Sequence, residues 1–393
     1  MSADIRLESP KHTTADLSAV IDTMIDLAPA LSNLVRCAGD RALRSAVLTI
    51  KARLSRISPV KNTLMTRTKA VGMLSGGLDS ILAFRLMLDQ GIDVYALNYK
   101  SPFCTCTSKG CQHQATKVAH ELNVPIKVVP TGQDYIEMVK HPHHGYGRNM
   151  NPCLDCRVFT FSRAREYARD IGAAFVFSGE VLGERPMSQH MPALKLIEKE
   201  SGLEGILLRP LSAHLLEPTV PELQGLVDRT RLLAIRGRSR KPQIALAAEL
   251  GVNDYPCPAG GCLLTDRLFA TRLREAFEHN DDTPRHMRML RIGRHFRLPS
   301  RARVIVGRDE LENAALRNLV RPEDTSLEPV DVVGPLTVLF NSTAADDVRT
   351  SARLCARFSD GREQPEVTVE YGTGMLRVAP LSEADTSPLR IGG

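Results

Sequence analysis

Ser75-Gly76-Gly77-Leu78-Asp79-Ser80 stands where an apolar strand, Ala70 to Leu74, gives way to an apolar-periodic helix, Ile81 to Leu88. Two adjacent glycines let the backbone come close to an anion. The start of the helix supplies unpaired N–H groups and the positive end of a dipole, and two serine hydroxyls add donors. A strand–loop–helix passage of this composition reads as a nucleotide-phosphate loop. It lacks the Gly-Lys-Ser/Thr close of the Walker type, so no lysine of the loop grips the β- and γ-phosphates. Asp79 has two readings, a helix cap or a contact to Mg²⁺, because aspartate is favoured at helix starts for both reasons.

Outward from this loop the chain alternates strand and helix. Strand Asp93 to Asn98, helix Lys109 to Leu122 and strand Pro125 to Pro130 follow, then a helix at Val158 to Ile171, strand Ala173 to Phe177 and strand Ile206 to Leu211. Repeated βα units predict an α/β domain over 66–267: a doubly wound parallel sheet whose ligand sits at the carboxyl ends of the strands. Residues 1–65 carry two amphipathic patterns and are expected to form a helical N-terminal extension. An Arg-rich connector is expected over 268–300. An α+β domain over 301–385 is expected beyond it, built from strand Ala302 to Val306, helix Asp309 to Val320, strand Leu336 to Phe340, helix Ala344 to Phe358 and a hairpin between Glu366 and Pro380.

The chain has 393 residues and a formal net charge of +6, with ordinary apolar content. No apolar run reaches membrane-spanning length, and Asp4 and Glu8 stand where a signal segment would be basic and apolar. The expectation is a soluble, cytoplasmic protein with no membrane partner. Arginine is concentrated in Arg229 to Lys241 and Arg285 to Arg303, which favours a polyanionic partner, although a solvated helical face explains either cluster as well. Candidates for phosphate-backbone contact are Arg238, Arg240 and Lys241, and the arginines at 285, 288, 291, 294 and 297. The last group recurs every three residues, a spacing that drifts around a helix, so some of its members are expected in internal ion pairs. Tryptophan is absent and aromatics are sparse, which argues against single-strand recognition by stacking and for a folded RNA read by shape and charge.

Nine cysteines are present, mostly in tight groups. Cys153-Leu154-Asp155-Cys156 precedes a helix, whose N-terminus together with Arg157 would stabilise thiolate. Cys257 and Cys262 form a second pair, and Cys104, Cys106 and Cys111 with His113 a third group. Three thiolates can hold a [4Fe–4S] cluster with one iron open, four can hold zinc, and two can pass a persulfide sulfur and close a disulfide. Cys37 and Cys355 stand alone in helical patterns and read as buried, inert thiols. The Cys104 group reads equally as a second metal site or a local fold constraint.

Ser75 to Ser80 resembles the signature of the PP-loop ATP pyrophosphatases, which adenylate an oxygen and release pyrophosphate. With Asn151-Pro152-Cys153-Leu154-Asp155-Cys156 and a later cysteine, the chain resembles the tRNA thiolation enzymes of that group, the 4-thiouridine synthetases, the 2-thiouridylases and the iron–sulfur two-thiolation group. Ser178-Gly179-Glu180-Val181-Leu182-Gly183-Glu184 with Ser188-Gln189, and Leu208-Arg209-Pro210-Leu211, are similar to 4-thiouridine synthetase segments. Asp254-Tyr255-Pro256-Cys257 is similar to their Tyr-Cys with one extra proline, which nominates Cys257 over Cys262 as the third reactive cysteine. The resemblance covers roughly 69–267. The THUMP region of the synthetases is not matched by residues 1–65, and there is no rhodanese-type tail. Val304-Ile305-Val306-Gly307-Arg308 and Glu310-Leu311-Glu312-Asn313 resemble the NFACT-R domain of other RNA-associated proteins.

The resemblance implies an ATP-dependent tRNA sulfurtransferase. Ser75, Gly76, Gly77, Asp79, Ser80, Gly179 and Gln189 would bind ATP with Mg²⁺, and strand Val94 to Tyr99 would line the adenine. Cys153, Cys156 and Cys257 would carry sulfur, or with Cys262 hold an iron–sulfur cluster or zinc. The sulfur donor would be a cysteine desulfurase or sulfide. Two other readings remain open: a PP-loop ligase of small molecules like 7-cyano-7-deazaguanine synthase, with structural zinc, and a non-catalytic RNA-binding factor.

Overall fold

The computed structural model describes residues 67–393 apart from 105–110, 256–261, 373 and 393; the side chains of 111–113 also fall outside it. The expected helical extension, Cys37, Cys106, Cys257 and the side chains of Cys111 and His113 therefore lie outside the described residues.

Five parallel strands make the first sheet: β1 (Lys69–Met73), β2 (Asp93–Lys100), β3 (Ile126–Pro130), β4 (Phe175–Ser178) and β5 (Leu207–Leu208), in the order β3-β2-β1-β4-β5. The helices between them are α1 (Leu78–Leu88), α2 (Cys111–Glu121), α3 (Gln133–Lys140), α4 (Cys153–Asp170) and α5 (Met191–Ser201). Strand order reverses at β1, whose neighbours are β2 on one side and β4 on the other. A crevice opens at such a switch point beyond the strand ends, and the Ser75 to Ser80 loop is located there.

The central strand is buried because both faces of the sheet are covered. Ala70 and Val71 are fully buried on opposite faces, one with the α1 cluster of Leu78, Leu82 and Phe84, the other with Phe161 and Ala164 of α4. Gly72 has no room for a side chain, since a Cβ there would stand 2.4 Å from the rings of Phe84 and Phe177. Those rings pack with centroids 4.9 Å apart, a tilted pair worth about 1 kcal/mol beyond area burial.

Beyond the sheet come α6 (Lys241–Glu249), which packs on α1, and α7 (Arg267–Glu278) and α8 (Pro284–Met289). The second sheet is antiparallel and six-stranded, in the order β11-β10-β8-β9-β7-β6. Its members are β6 (Arg294–Arg297), β7 (Arg303–Val306), β8 (Thr325–Pro329), β9 (Thr337–Phe340), β10 (Val367–Tyr371) and β11 (Gly374–Val378). Two helices belong to it, α9 (Glu310–Arg317) and α10 (Ala345–Arg357), and α10 buries Val348, Ala352 and Cys355 against β7 to β11. Cys355 is fully buried, its Sγ 3.5 Å from the Pro335 carbonyl, a structural thiol as its isolation suggested.

The stretch expected as a connector is largely built into the fold. Arg294 and Arg297 stand on strand β6, Arg285 meets Asp324 and donates to the Leu319 carbonyl, and Arg297 donates to Glu275 at 2.5 Å and Asp281 at 2.6 Å. Arg303, 2% exposed, also joins Glu275 and Asp281. Three of the expected phosphate contacts are thus committed internally, Arg285, Arg294 and Arg297, while Arg288 and Arg291 are exposed. The three-residue rhythm did not belong to one helix: α8 ends at Met289 and a strand begins at Arg294.

Candidate active site

The Ser75 to Ser80 loop is a hydrogen-bonded turn with one open side. Gly77 donates its N–H to Ser75 Oγ at 3.3 Å, Ser75 Oγ and Ser80 Oγ lie 3.2 Å apart, and Ser80 Oγ donates to the Gly77 carbonyl at 2.7 Å. Gly76 takes a left-handed φ of 78°, and a Cβ there would stand 2.9 Å from the Ala115 nitrogen. Gly77 is different. A Cβ on it would meet only Ser75 Oγ, at 3.4 Å, so the bare backbone faces a space that an anion could fill. Gly77 caps α1 without a side-chain bond, and Asp79 sits in the first turn with its Oδ1 buried and unpartnered. Asp79 is therefore not the cap. Burial pushes its carboxyl up, partly offset by Arg240 and Gln243.

Gly179, at the end of β4, closes the loop from the other side. A Cβ there would lie 2.5 Å from the Asp79 carbonyl group and the Ser80 nitrogen, so only glycine lets the end of β4 approach the first turn of α1 so closely. Gln189 accepts from the Arg185 N–H at 3.1 Å and offers its carbonyl to Gly183 at 2.6 Å, which shapes the 183–189 loop.

Between these loops lies a cavity of about 250 Å³. It is lined by Ser75, Asp79 and Ser80 of the loop, by Gly179, Glu184, Arg185 and Gln189, by Leu97, Asn98 and Tyr99 of β2, and by Tyr135, Cys156 and Arg157. The cavity thus brings the phosphate loop and Cys156, 76 to 81 residues apart in sequence, into one lining. Arg157 Nε stands 3.4 Å from Glu180 Oε1, and Glu180 Oε2 accepts from Arg209 Nε at 3.0 Å; Arg209 also pairs with Glu198. Glu180 and Arg209 are almost wholly buried. The two short motifs around 180 and 209 therefore meet as a buried ion pair behind Arg157.

Cys153 and Cys156 open α4, where Pro152 takes the cap position. Burial pushes the Cys156 thiol up; the Tyr135 hydroxyl, 3.1 Å from its Sγ, and Arg157 pull the other way without winning. The expected thiolate at Cys156 is corrected accordingly. A first-turn position and one arginine do not offset desolvation in a chain without a ligand. Cys262 faces the same group: burial pushes its thiol up to about 12, and Cys156, Cys153 and Cys104 add to the shift. Cys104 joins it through an antiparallel bridge to Cys262, so it belongs with the Cys153 pair and not to a separate site. Nothing in the linear spacing shows this, since the bridge closes 158 residues. Among the described residues, the potential ligands whose donor atoms all lie within 4.8 Å of one another are His143, His144 and Glu200, not the cysteines.

Asp155 turns away from the thiols and accepts the His143 N–H at 2.9 Å and the His144 N–H at 3.2 Å, holding the loop before the cysteine pair. Arg240, expected on an RNA surface, is placed beside Asp79, while Arg238 and Lys241 are exposed. Sequence reasoning passed over Tyr135 and Arg185; Tyr135 carries no local motif, and Arg185 falls just after a quoted one.

Residues 65–215 match the family described as thiamine biosynthesis protein (ThiI), and residues 293–387 match the family described as NFACT protein RNA binding domain. The chain is 30% identical over 127 residues to the tRNA-specific 2-thiouridylase MnmA of Leptospira biflexa, covering 29% of this chain and 33% of the relative. It is 26% identical over 219 residues to that of Dichelobacter nodosus, covering 53% and 55%. The chain thus spans from a third to about half the length of these curated relatives. A solved structure titled U34-tRNA thiolase NcsA from Methanococcus maripaludis with its [4Fe-4S] cluster aligns with 63% of this chain and 77% of its own, at 17% identity and a TM-score of 0.30. The chain therefore joins a PP-loop domain resembling that of ThiI to a C-terminal domain resembling the RNA-binding domain of NFACT proteins.

Proposed function

We propose that this protein is an ATP-dependent sulfurtransferase acting on tRNA, which adenylates a base carbonyl oxygen and replaces it with sulfur. The observation that carries the reading is one cavity lined both by Ser75, Asp79 and Ser80 and by Cys156 with Arg157. A pyrimidine carbonyl is a poor electrophile with a poor leaving group. In the proposed sequence its oxygen attacks the α-phosphorus of ATP, pyrophosphate departs from the glycine-rich loop, and AMP becomes the group that sulfur displaces. The backbone N–H groups of Gly76 and Gly77 and the start of α1 favour the phosphate charge, and Arg157 stands where the adenylate meets the thiols. Mg²⁺ bound at Asp79 would neutralise the departing pyrophosphate; the unpartnered Oδ1 fits that role.

Cys153, Cys156 and Cys262 are the cysteines we propose as the sulfur-handling set, with Cys104 bridged to Cys262; Cys257, the expected third position, lies outside the described residues. The donor set suits an iron–sulfur cluster, which supplies, when bound, an open iron for exogenous sulfide. Burial pushes the Cys156 and Cys262 thiols up, and Cys156 lines the cavity, so sulfur carried at Cys156 is delivered inside it. A small-molecule ligase with remote structural zinc gives Cys156 no reason to line the nucleotide cavity. The match of 293–387 supports an RNA substrate.

Purified protein incubated with ATP, tRNA and sulfide, with AMP and pyrophosphate each quantified, tests the reading. Pyrophosphate and AMP should appear in equal amounts and depend on added tRNA, and Cys156→Ser should keep adenylation while losing sulfur incorporation. Release with a small carboxylate but with no RNA would favour the ligase.

A further inference from the structure

The described residues around Asp79 hold more charge than they pair. Arg236 bridges Leu182 and the Gly237 N–H donates to the Leu182 carbonyl at 2.7 Å, which lays the 236–240 segment beside Glu184 and Arg185. From there α6 runs against α1, with Gln243 fully buried. Asp79 and Glu184 are two carboxylates close enough that each feels Arg185 and Arg240, and burial pushes both up. Yet among the described residues neither guanidinium lies within 4 Å of a carboxylate in an ion pair. Arg240 Nε and Asp79 Oδ1 are buried without hydrogen-bond partners. Buried polar atoms left open in one place point to a ligand that completes them.

We propose that Arg185 and Arg240 form the subsite for the β- and γ-phosphates of ATP and hence for the leaving pyrophosphate, facing Asp79 and Glu184 across it. Two carboxylates on one side and two guanidiniums on the other fit a polyphosphate carrying a divalent cation: the cation toward the acids, the outer oxygens toward the arginines. This supplies the positive charge that the loop, without a Walker lysine, does not contain. Of the two arginines, Arg240 lies beyond the 65–215 family match. The subsite rests on the ATP-cleaving part of the proposed function and is independent of how sulfur arrives.

Calorimetric titration of the full chain with inorganic pyrophosphate, and separately with AMP, in Mg²⁺ and without RNA tests it. Arg240→Gln and Arg185→Gln should each weaken pyrophosphate at least tenfold and leave AMP within twofold, with Arg240→Lys recovering part of the loss. Arg185 is exposed, so its variant decides the matter if Arg240→Gln folds poorly. Equal loss of both ligands in Arg185→Gln, or unchanged pyrophosphate affinity, would overturn the subsite. Wild-type protein that binds neither probe would remove the nucleotide reading and the subsite with it, whereas tight pyrophosphate binding by a protein that thiolates no RNA would sink only the sulfur reading.

Discussion

Cys104 and Cys262 stand directly opposite each other in an antiparallel bridge, with the Leu263 N–H donated to the Phe103 carbonyl at 2.8 Å. That bond runs between the flanking residues, which makes the cysteines a non-hydrogen-bonded pair, with Cα atoms about 4.5 Å apart. A disulfide accepts that separation. Treating the cluster-free chain with oxidised glutathione should therefore link Cys104 to Cys262 in preference to Cys153 or Cys156, read as a joined peptide by mass spectrometry. A dominant Cys153–Cys156 link would show that the bridge does not set thiol proximity.

Gly179→Ala should separate binding from folding. The added methyl meets backbone atoms of Asp79 and Ser80 at 2.5 Å, which cannot swing aside as a side chain would. The loop must shift, so ATP affinity should fall by tenfold or more while the far-ultraviolet spectrum stays native. Unchanged ATP affinity would mean that the loop has slack that its contacts do not show.

The Cys262 thiol, raised from 9.0 to about 12, sets a pH dependence. A folded value above the unfolded one contributes stability that is fully present below pH 9 and is lost as pH rises toward 12. Cys262→Ser should therefore be most destabilising near neutrality, and its deficit should shrink above pH 9 in urea titrations. Iodoacetamide at pH 8 should label Cys262 and the equally raised Cys355 slowly, since only about one such thiol in ten thousand is ionised. Fast labelling of Cys262 would contradict its burial.

Arg303→Leu should be among the most damaging changes outside the active site. It leaves the Glu275 and Asp281 carboxylates short of a buried partner, at a cost of about 3–5 kcal/mol. In the wild type, burial pushes the Asp281 carboxyl up, but Arg297 and Arg303 outweigh it and hold it below 3.8. Its contribution is present above that pH and lost as pH falls through the lowered value. Thermal melting should show the variant's deficit at pH 7 and a smaller one in strong acid; a deficit that does not change with pH would assign the loss to packing.

The fold was readable where local chemistry and tertiary demand agreed. The glycine loop after Ala70 to Leu74, the alternating β1 to β4 and the hairpin β10–β11 all carry their own pattern, and each is found within a few residues of its expected place. Strand β6 was not readable, because Arg294-His295-Phe296-Arg297 resembles an RNA-facing cluster until Glu275 and Asp281, brought in by α7 and the turn after it, neutralise it. The thiols behaved likewise. Cys153 and Cys156 announce themselves by spacing, but the place of Cys262 depends on a bridge to Cys104 that no local rule specifies. The thiolate expected at Cys156 failed because a helix start is a local favour and desolvation a tertiary cost.

Nucleoside analysis of tRNA from cells with and without this gene addresses the proposed activity most directly. One thionucleoside should disappear when the gene is absent, return with the wild-type gene, and fail to return with Asp79→Asn or Cys156→Ser. An unchanged thionucleoside profile in the deleted strain would contradict sulfur transfer to tRNA.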